Sequence, residues 1–378
     1  MALPTTITLI STTIASCGPY ISSAGNVYVF GQDASDVNII RACKATDPTT
    51  SFSSSASFGP GLGTASSLSA DQVADVIHFA ATFANSGTTQ ATRYFTFNMA
   101  TDTYTDKASA TTNVNSQTSA GTQQFGCSIK VRSNGNAVLH YNGTRVANMG
   151  NSYAQTYYRE WTGAAFGTEV QVSAGGQVDF TTPETLLGAS DRVQFLFLNA
   201  TAATGVQRAL TSANALQTAN TALSTPFSGA FINGISYDNA GTQKIVSFWP
   251  SATPQVDYFD DGNTPTVNIA TPANLGSATF GRPFNDGTDA YILFRFTTDS
   301  DLYVSKSSDN GATWGTKASA FVATVNNAEA NLSIDGNIFT RGSSVVIPYV
   351  VNDNGTLKYN EYVVRTIVSD TLFAQAVM

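Results

Sequence analysis

The chain has 378 residues, 42% of them hydrophobic and 11% aromatic, which supplies a large core and excludes a disordered protein. Charged residues are only 12%, about half the usual share of a soluble domain. Eighteen Lys and Arg against 26 Asp and Glu leave a net charge of −8, which excludes a nucleic-acid binder working through clustered cations.

At the N-terminus, Ile14-Ala15-Ser16-Cys17 has the form of a bacterial lipoprotein cleavage box. No Lys or Arg precedes it, and Thr5 to Thr13 alternates as a strand does, so no standard export signal is expected. No apolar run reaches the ~20 residues of a membrane helix, and membrane insertion is not expected. Cys17, Cys43 and Cys127 are widely spaced, and His78 and His140 are the only histidines, so neither a disulfide framework nor a zinc site is read.

Seven segments share one form, a turn of Gly, Asn or Asp followed by a β-branched and aromatic run with period-two alternation. They centre near residues 26–30, 75–79, 136–141, 191–197, 243–249, 288–294 and 343–349. The mean spacing is about 53 residues, the length of one propeller blade. Shorter strands flank each run, as in Ser128-Ile129-Lys130-Val131 before it and Asp301-Leu302-Tyr303-Val304-Ser305 after it. The expected fold is all-β, a single β-propeller over residues 1–378 with four-stranded antiparallel blades, seven in number, with six as the alternative. A ring must close, and Thr5–Ser11 is expected to pair with strands from residues 343–368. Gly205–Leu223 sits where an outer strand belongs, yet it carries Val206, Leu210, Leu216 and Leu223 at near-helical spacing, which leaves a short helical insertion as a second expectation.

Ser307-Ser308-Asp309-Asn310-Gly311-Ala312-Thr313-Trp314 matches the pattern S-x-D-x-G-x-T-W. Gly311 allows a turn closed to other residues, Asp309 can accept from backbone N–H groups, and Trp314 can seal the hairpin. A worn copy, with Thr46, Asp47 and Phe52, aligns without a gap, and Asn98 to Tyr104 is a weaker echo. On these residues the chain resembles the Asp-box, or BNR-repeat, sialidase-like β-propellers. The resemblance makes Ser307, Asp309, Gly311, Thr313 and Trp314 structural residues.

Sialidases clamp a substrate carboxylate with three arginines, the first in an Arg-Ile-Pro motif. The matching segment here, Pro19-Tyr20-Ile21-Ser22-Ser23, lacks the arginine. The family's Tyr nucleophile beside a Glu has two formal counterparts, Tyr158 with Glu160 and Tyr359 with Glu361. A working clamp would need convergence among Arg93, Arg159, Arg282, Arg295 and Arg341. Glutamates are few: Glu160, Glu169, Glu184, Glu329 and Glu361. No catalytic residue and no cofactor is assigned. The turns Asp260-Asp261-Gly262-Asn263 and Asp353-Asn354-Gly355 offer oxygen ligands for Ca²⁺, without the spacing of a dedicated loop.

The leading expectation is therefore a non-enzymatic interaction module. Its composition, rich in Thr, Ser, Ala and Asn and poor in Lys, resembles that of bacteriophage virion proteins of the tail, baseplate, nozzle or fibre. Partners would be other virion proteins or further copies, with no nucleic acid, and the location would be the virion or alternatively a cell surface. The alternative is a carbohydrate- or receptor-binding lectin that stacks host glycan on Trp161 and Trp249. The second alternative is a diverged sialidase-like glycoside hydrolase.

Overall fold

Turn-forming Gly, Asn and Asp launch strands that are buried along almost their whole length, because each small sheet is covered on both faces by its neighbours. The computed structural model describes residues 5–10, 16–36, 38–59, 64–84, 89–107, 115–118, 126–143, 155–173, 183–199, 204–218, 221–223, 233–321, 332–335 and 338–366. Blade 1 holds β2 (Cys17–Ile21), β3 (Val27–Gln32), β4 (Ile40–Ala45) and β5 (Ser53–Phe58). Blade 2 holds β6 (Thr64–Val73), β7 (Val76–Ala84) and β8 (Thr89–Asn98), with its fourth position filled by two pieces along β8, β9 (Thr103–Asp106) and β10 (Asn115–Thr118).

Blade 3 is β11 (Cys127–Val131), β12 (Ala137–Gly143), β13 (Gln155–Trp161) and β14 (Val170–Gln171). Blade 4 is β15 (Glu184–Leu187), β16 (Val193–Asn199), β17 (Thr204–Leu210) and β18 (Thr221–Ala222). Blade 5 is β19 (Asn233–Asn239), β20 (Thr242–Trp249), β21 (Gln255–Asp260) and β22 (Asn268–Ala270). Blade 6 is β23 (Ala278–Asn285), β24 (Ala290–Phe296), β25 (Leu302–Ser307) and β26 (Ala318–Phe321).

Blade 7 closes the circle. Its innermost position is two short pieces, β27 (Leu332–Ser333) and β28 (Phe339–Arg341), both on β29 (Ser344–Asp353), followed by β30 (Thr356–Thr366). Its outermost strand is β1 (Thr5–Ile7) from the other end of the chain, paired antiparallel with β30 as Thr5↔Tyr359 and Ile7↔Leu357. The protein is a seven-bladed, all-β propeller of four-stranded antiparallel blades. The expected N-to-C closure is present over Thr5–Ile7, while Ser11 lies outside the described residues. The seven runs read from the sequence are the second strands β3, β7, β12, β16, β20, β24 and β29.

One expectation fails. The described residues of 205–223 form no helix but the outer strand, because Leu210 bridges Leu216 across a turn and the chain returns to pair Val206 with Ala222. The near-helical spacing of leucines arises from a hairpin that folds both onto the same seam, where they pack with Phe195 and Val206.

The blades are stapled by a recurrent device. In blades 1 to 6 the turn between the third and fourth strands lies against the preceding blade. Thr5 Oγ1 donates to Pro48 O while Phe52 packs on Tyr359 with ring centroids 5.5 Å apart. Asp102 accepts from Tyr28 OH at 2.8 Å and from Lys44 Nζ at 2.9 Å, and Phe166 meets the Tyr94 ring edge-on. Asn214 bridges Arg132 and Glu160, Asp261 accepts from Ala189 N at 3.0 Å and from Arg192, and Asn310 accepts from Tyr237 OH at 3.2 Å and from Asn239. In blade 7 the third and fourth strands, β30 and β1, come from opposite ends of the sequence and are not joined by a turn.

Between blades 3 and 4, His140 is fully buried against Phe195, its ring centroid 4.7 Å away. Burial pushes its imidazole down to about 3, against the pull of a Glu184 backbone hydrogen bond, so it is a neutral core residue.

Gly311 joins strain and crowding at one staple, with φ +100° and an added Cβ only 2.9 Å from the Tyr258 Cβ of blade 5. Gly25 has φ +80° with open space around it. Gly311→Ala is therefore expected to cost at least about 2 kcal/mol and Gly25→Ala about 1 kcal/mol. Denaturant unfolding of the two variants checks this, and equal losses would show that the contact with blade 5 contributes nothing.

Candidate functional site

Consecutive innermost strands touch around the whole circle, from β2 through β6, β11, β15, β19 and β23 to β27 and back to β2. They enclose a hub cavity of about 460 Å³, within the about 300–1,000 Å³ of small-molecule sites. Period-two alternation buries Cys127, Ile129 and Val131 in the seam with blade 2 and turns Ser128 and Lys130 to the other face of β11. The result is a charged ring drawn from five blades: Asp71, Lys130, Glu184, Arg282 and Asp335.

Hydrogen bonds between adjacent innermost strands hold these groups. Asp71 accepts Lys130 Nζ at 2.8 Å on one oxygen and Val131 N at 2.8 Å on the other, which joins blades 2 and 3. Ser128 and Thr185 share a hydroxyl bond at 2.5 Å between blades 3 and 4, and Asn233 Nδ2 donates to Gly281 O at 3.2 Å between blades 5 and 6. Asp335 Oδ2 accepts from Gly18 N at 2.9 Å and Ser333 Oγ at 2.8 Å, which joins blade 7 to blade 1.

Glu184 opens β15, half-buried, and one of its oxygens accepts the Thr185 backbone N–H at 3.0 Å. Burial pushes its carboxyl up to about 7, against the opposing pull of Arg282 and Lys130, and Asp335 adds to the rise. The hub thus holds a carboxyl poised to gain or lose a proton near neutrality, beside two further carboxylates and two cations.

The residues singled out from the sequence lie elsewhere, with the exceptions of Arg282 and Glu184. Trp161 is 9% exposed and packs on Tyr94 and Phe166, and Trp249 is 3% exposed with its indole N–H donating to buried Asp257. Neither ring faces solvent, so glycan stacking on Trp161 or Trp249 is corrected to seam packing. Gly205 shows why: its missing side chain is the space that the Trp249 ring fills.

Tyr158 stacks on Phe195, and Glu160 accepts from Arg132 at 3.0 Å and Asn136 at 2.9 Å. Tyr359 OH does reach Glu361 at 2.6 Å, but Arg341 closes on the same oxygen and neither residue lines the hub. Arg93 is buried in β8, Arg159 donates to Gly167 O, and Arg295 donates to Ser300. The five arginines do not converge.

At the turn between β25 and β26, Asp309 accepts from Thr313 N and Oγ1 at 2.8 and 2.6 Å, Ser307 Oγ accepts from Gly311 N at 2.8 Å, and Trp314 Nε1 donates to Gly311 O at 2.9 Å. Trp314 is buried among blade 5 and blade 6 residues. The turn between β4 and β5 holds exposed Thr46 and Asp47, and Asp47 accepts from Thr49 N at 2.9 Å. Asp261 is engaged by Arg192, and Asp353 by Lys358. Among the described residues no group of three or more His, Cys, Asp or Glu is placed to hold a metal ion.

No protein-family model matches the sequence, and no curated protein matches it. Solved structures do match in shape. A variant of the Aleuria aurantia lectin in complex with Fucα1-6GlcNAc superposes with a TM-score of 0.51 at 15% identity, over 84% of this chain and 98% of its own. AofleA from Arthrobotrys oligospora gives 0.52 at 14% identity, over 83% and 88%. An α-L-arabinofuranosidase from Fusarium graminearum in complex with an iminosugar inhibitor gives 0.54 at 8% identity, over 95% and 97%. The likeness is one of fold.

Because the folded protein holds the Glu184 proton more tightly than an unfolded chain, this group's stabilising contribution is complete at pH 4 and is lost as pH rises through about 7. Glu184→Gln is expected to raise the melting temperature by about 1–3 °C at pH 8.5 and to give no gain at pH 4. Thermal melts across that range check it, and a gain independent of pH would contradict the assignment.

Proposed function

We propose that this chain is a carbohydrate-binding β-propeller without hydrolase activity. The observation that carries the reading is the hub cavity, a concave site that combines apolar walls with carboxylate, amide, hydroxyl and cationic groups, the mixture that a sugar's hydroxyls and C–H faces require. The lectin and the arabinofuranosidase that share the fold support it, each being a protein whose structure holds a sugar or a sugar mimic. Dispersal of the five arginines and the engagement of Glu160 by Arg132 weigh against a sialidase reaction.

The turn at Ser307–Trp314 belongs, on this reading, to the Asp-box type and serves the blade 5–6 seam rather than the ligand. The low share of charged residues supports a place on a virion, where a glycan-binding propeller serves host attachment. A second reading, glycoside hydrolysis, is favoured by one specific feature: Glu184, whose carboxyl exchanges its proton near pH 7, shares its cavity with Asp71 and Asp335.

A glycan array probed with the whole chain, together with assays on 4-nitrophenyl α-L-arabinofuranoside and a chromogenic sialoside, separates these readings. Binding to at least one saccharide class with no turnover is expected. Turnover abolished by Glu184→Gln would replace the lectin reading with the hydrolase one.

A further inference from the structure

We infer that the hub cavity takes a neutral saccharide, seated against Asp335 and Glu184, and rejects acidic sugars. The inference rests on the carbohydrate-binding reading and adds to it the site and the ligand class.

The cavity's hydrogen-bonding atoms divide into occupied and open ones. Both oxygens of Asp71 are occupied, by Lys130 Nζ and Val131 N, so this ion pair carries no net charge toward a ligand. Asp335 is exposed within the hub, and its two hydrogen bonds, from Gly18 N and Ser333 Oγ, both fall on Oδ2. Glu184 accepts from Thr185 N through Oε1. Among the described residues, Asp335 Oδ1 and Glu184 Oε2 therefore accept no hydrogen bond, and both belong to side chains that line the cavity.

A carboxylate oxygen with open lone pairs is an acceptor, and the donors that satisfy it without adding charge are hydroxyl groups. A pyranose presents such hydroxyls in adjacent pairs. Arg282 lines the same space. Leu68, Leu186 and Ile334 supply apolar wall for the sugar's C–H face. An acidic sugar meets three carboxylates against two cations, one of which Asp71 already neutralises. Its carboxylate would be repelled, the reverse of a site built on an arginine clamp.

Titration calorimetry on the full chain at pH 7.5 tests this with methyl α-D-mannoside, methyl β-D-galactoside, methyl α-L-fucoside and N-acetylglucosamine as neutral probes. N-acetylneuraminic acid and D-glucuronate are the acidic ones. At least one neutral probe is expected to bind ten or more times tighter than both acids. Asp335→Asn, which keeps an acceptor for Gly18 N, and Glu184→Gln are each expected to weaken that neutral probe about tenfold or more, with the circular dichroism spectrum unchanged. The comparison of neutral and acidic probes on the unaltered chain stands even if a variant fails to fold. Neutral binding that both folded variants leave within twofold would overturn the hub assignment and leave the carbohydrate-binding reading intact. Tighter binding of an acidic probe would overturn the charge argument alone. Binding of no saccharide, here or on an array, would overturn the carbohydrate-binding reading itself.

Discussion

Everything in this fold depends on blade lying against blade. A four-stranded sheet with apolar residues on both faces, such as β20 flanked by β19 and β21, has no solvent-facing side to leave bare, so it is stable only between two others. The aromatic clusters follow the seams: Phe30 meets Phe79 and Phe97 between blades 1 and 2, and Trp314 lies with Tyr237 and Phe248 between blades 5 and 6. Dispersion and burial alone would allow the sheets to slide. The third-to-fourth turns fix them, each placing a polar or aromatic group on the preceding blade. Asp261 is the strongest instance, a carboxylate with 1% exposure held by Arg192.

That packing is also what creates the site. Seven innermost strands cannot meet at a point, and the space left at the centre is the cavity. The groups lining it serve twice. The Asp71–Lys130 pair and the Asp335 bond to Gly18 N join neighbouring strands, while Asp335, Glu184 and Arg282 also line the cavity. Rigidity of the circle and geometry of the cavity are thus the same property.

Much of the fold was legible because the second strands are long, strongly apolar and introduced by turn residues with a fixed period, from Val27-Tyr28-Val29-Phe30 to Val345-Val346-Ile347. The turns at Gly311, Asp47 and Asp102 were legible as turns, because turn chemistry is local. The site was not legible. Its charged residues are scattered over five blades, one to a blade, and Gly18 and Asp335 are 317 positions apart although they are hydrogen-bonded. Trp161 and Trp249 were misread because a bulky aromatic ring serves a seam as well as a sugar, and only the neighbour across the seam, Tyr94 in one case and Gly205 in the other, decides between them.

Native-state hydrogen exchange on the Asp261→Ala variant tests the interdependence of the blades most directly. The substitution removes the acceptor of Ala189 N and Arg192, a loss of about 1–3 kcal/mol for hydrogen bonds to a charged group. If the circle is one cooperative unit, amides of β3, β12, β20 and β29 lose protection together, by the same free energy. Loss confined to blades 4 and 5, with β3 and β29 unchanged, would contradict it.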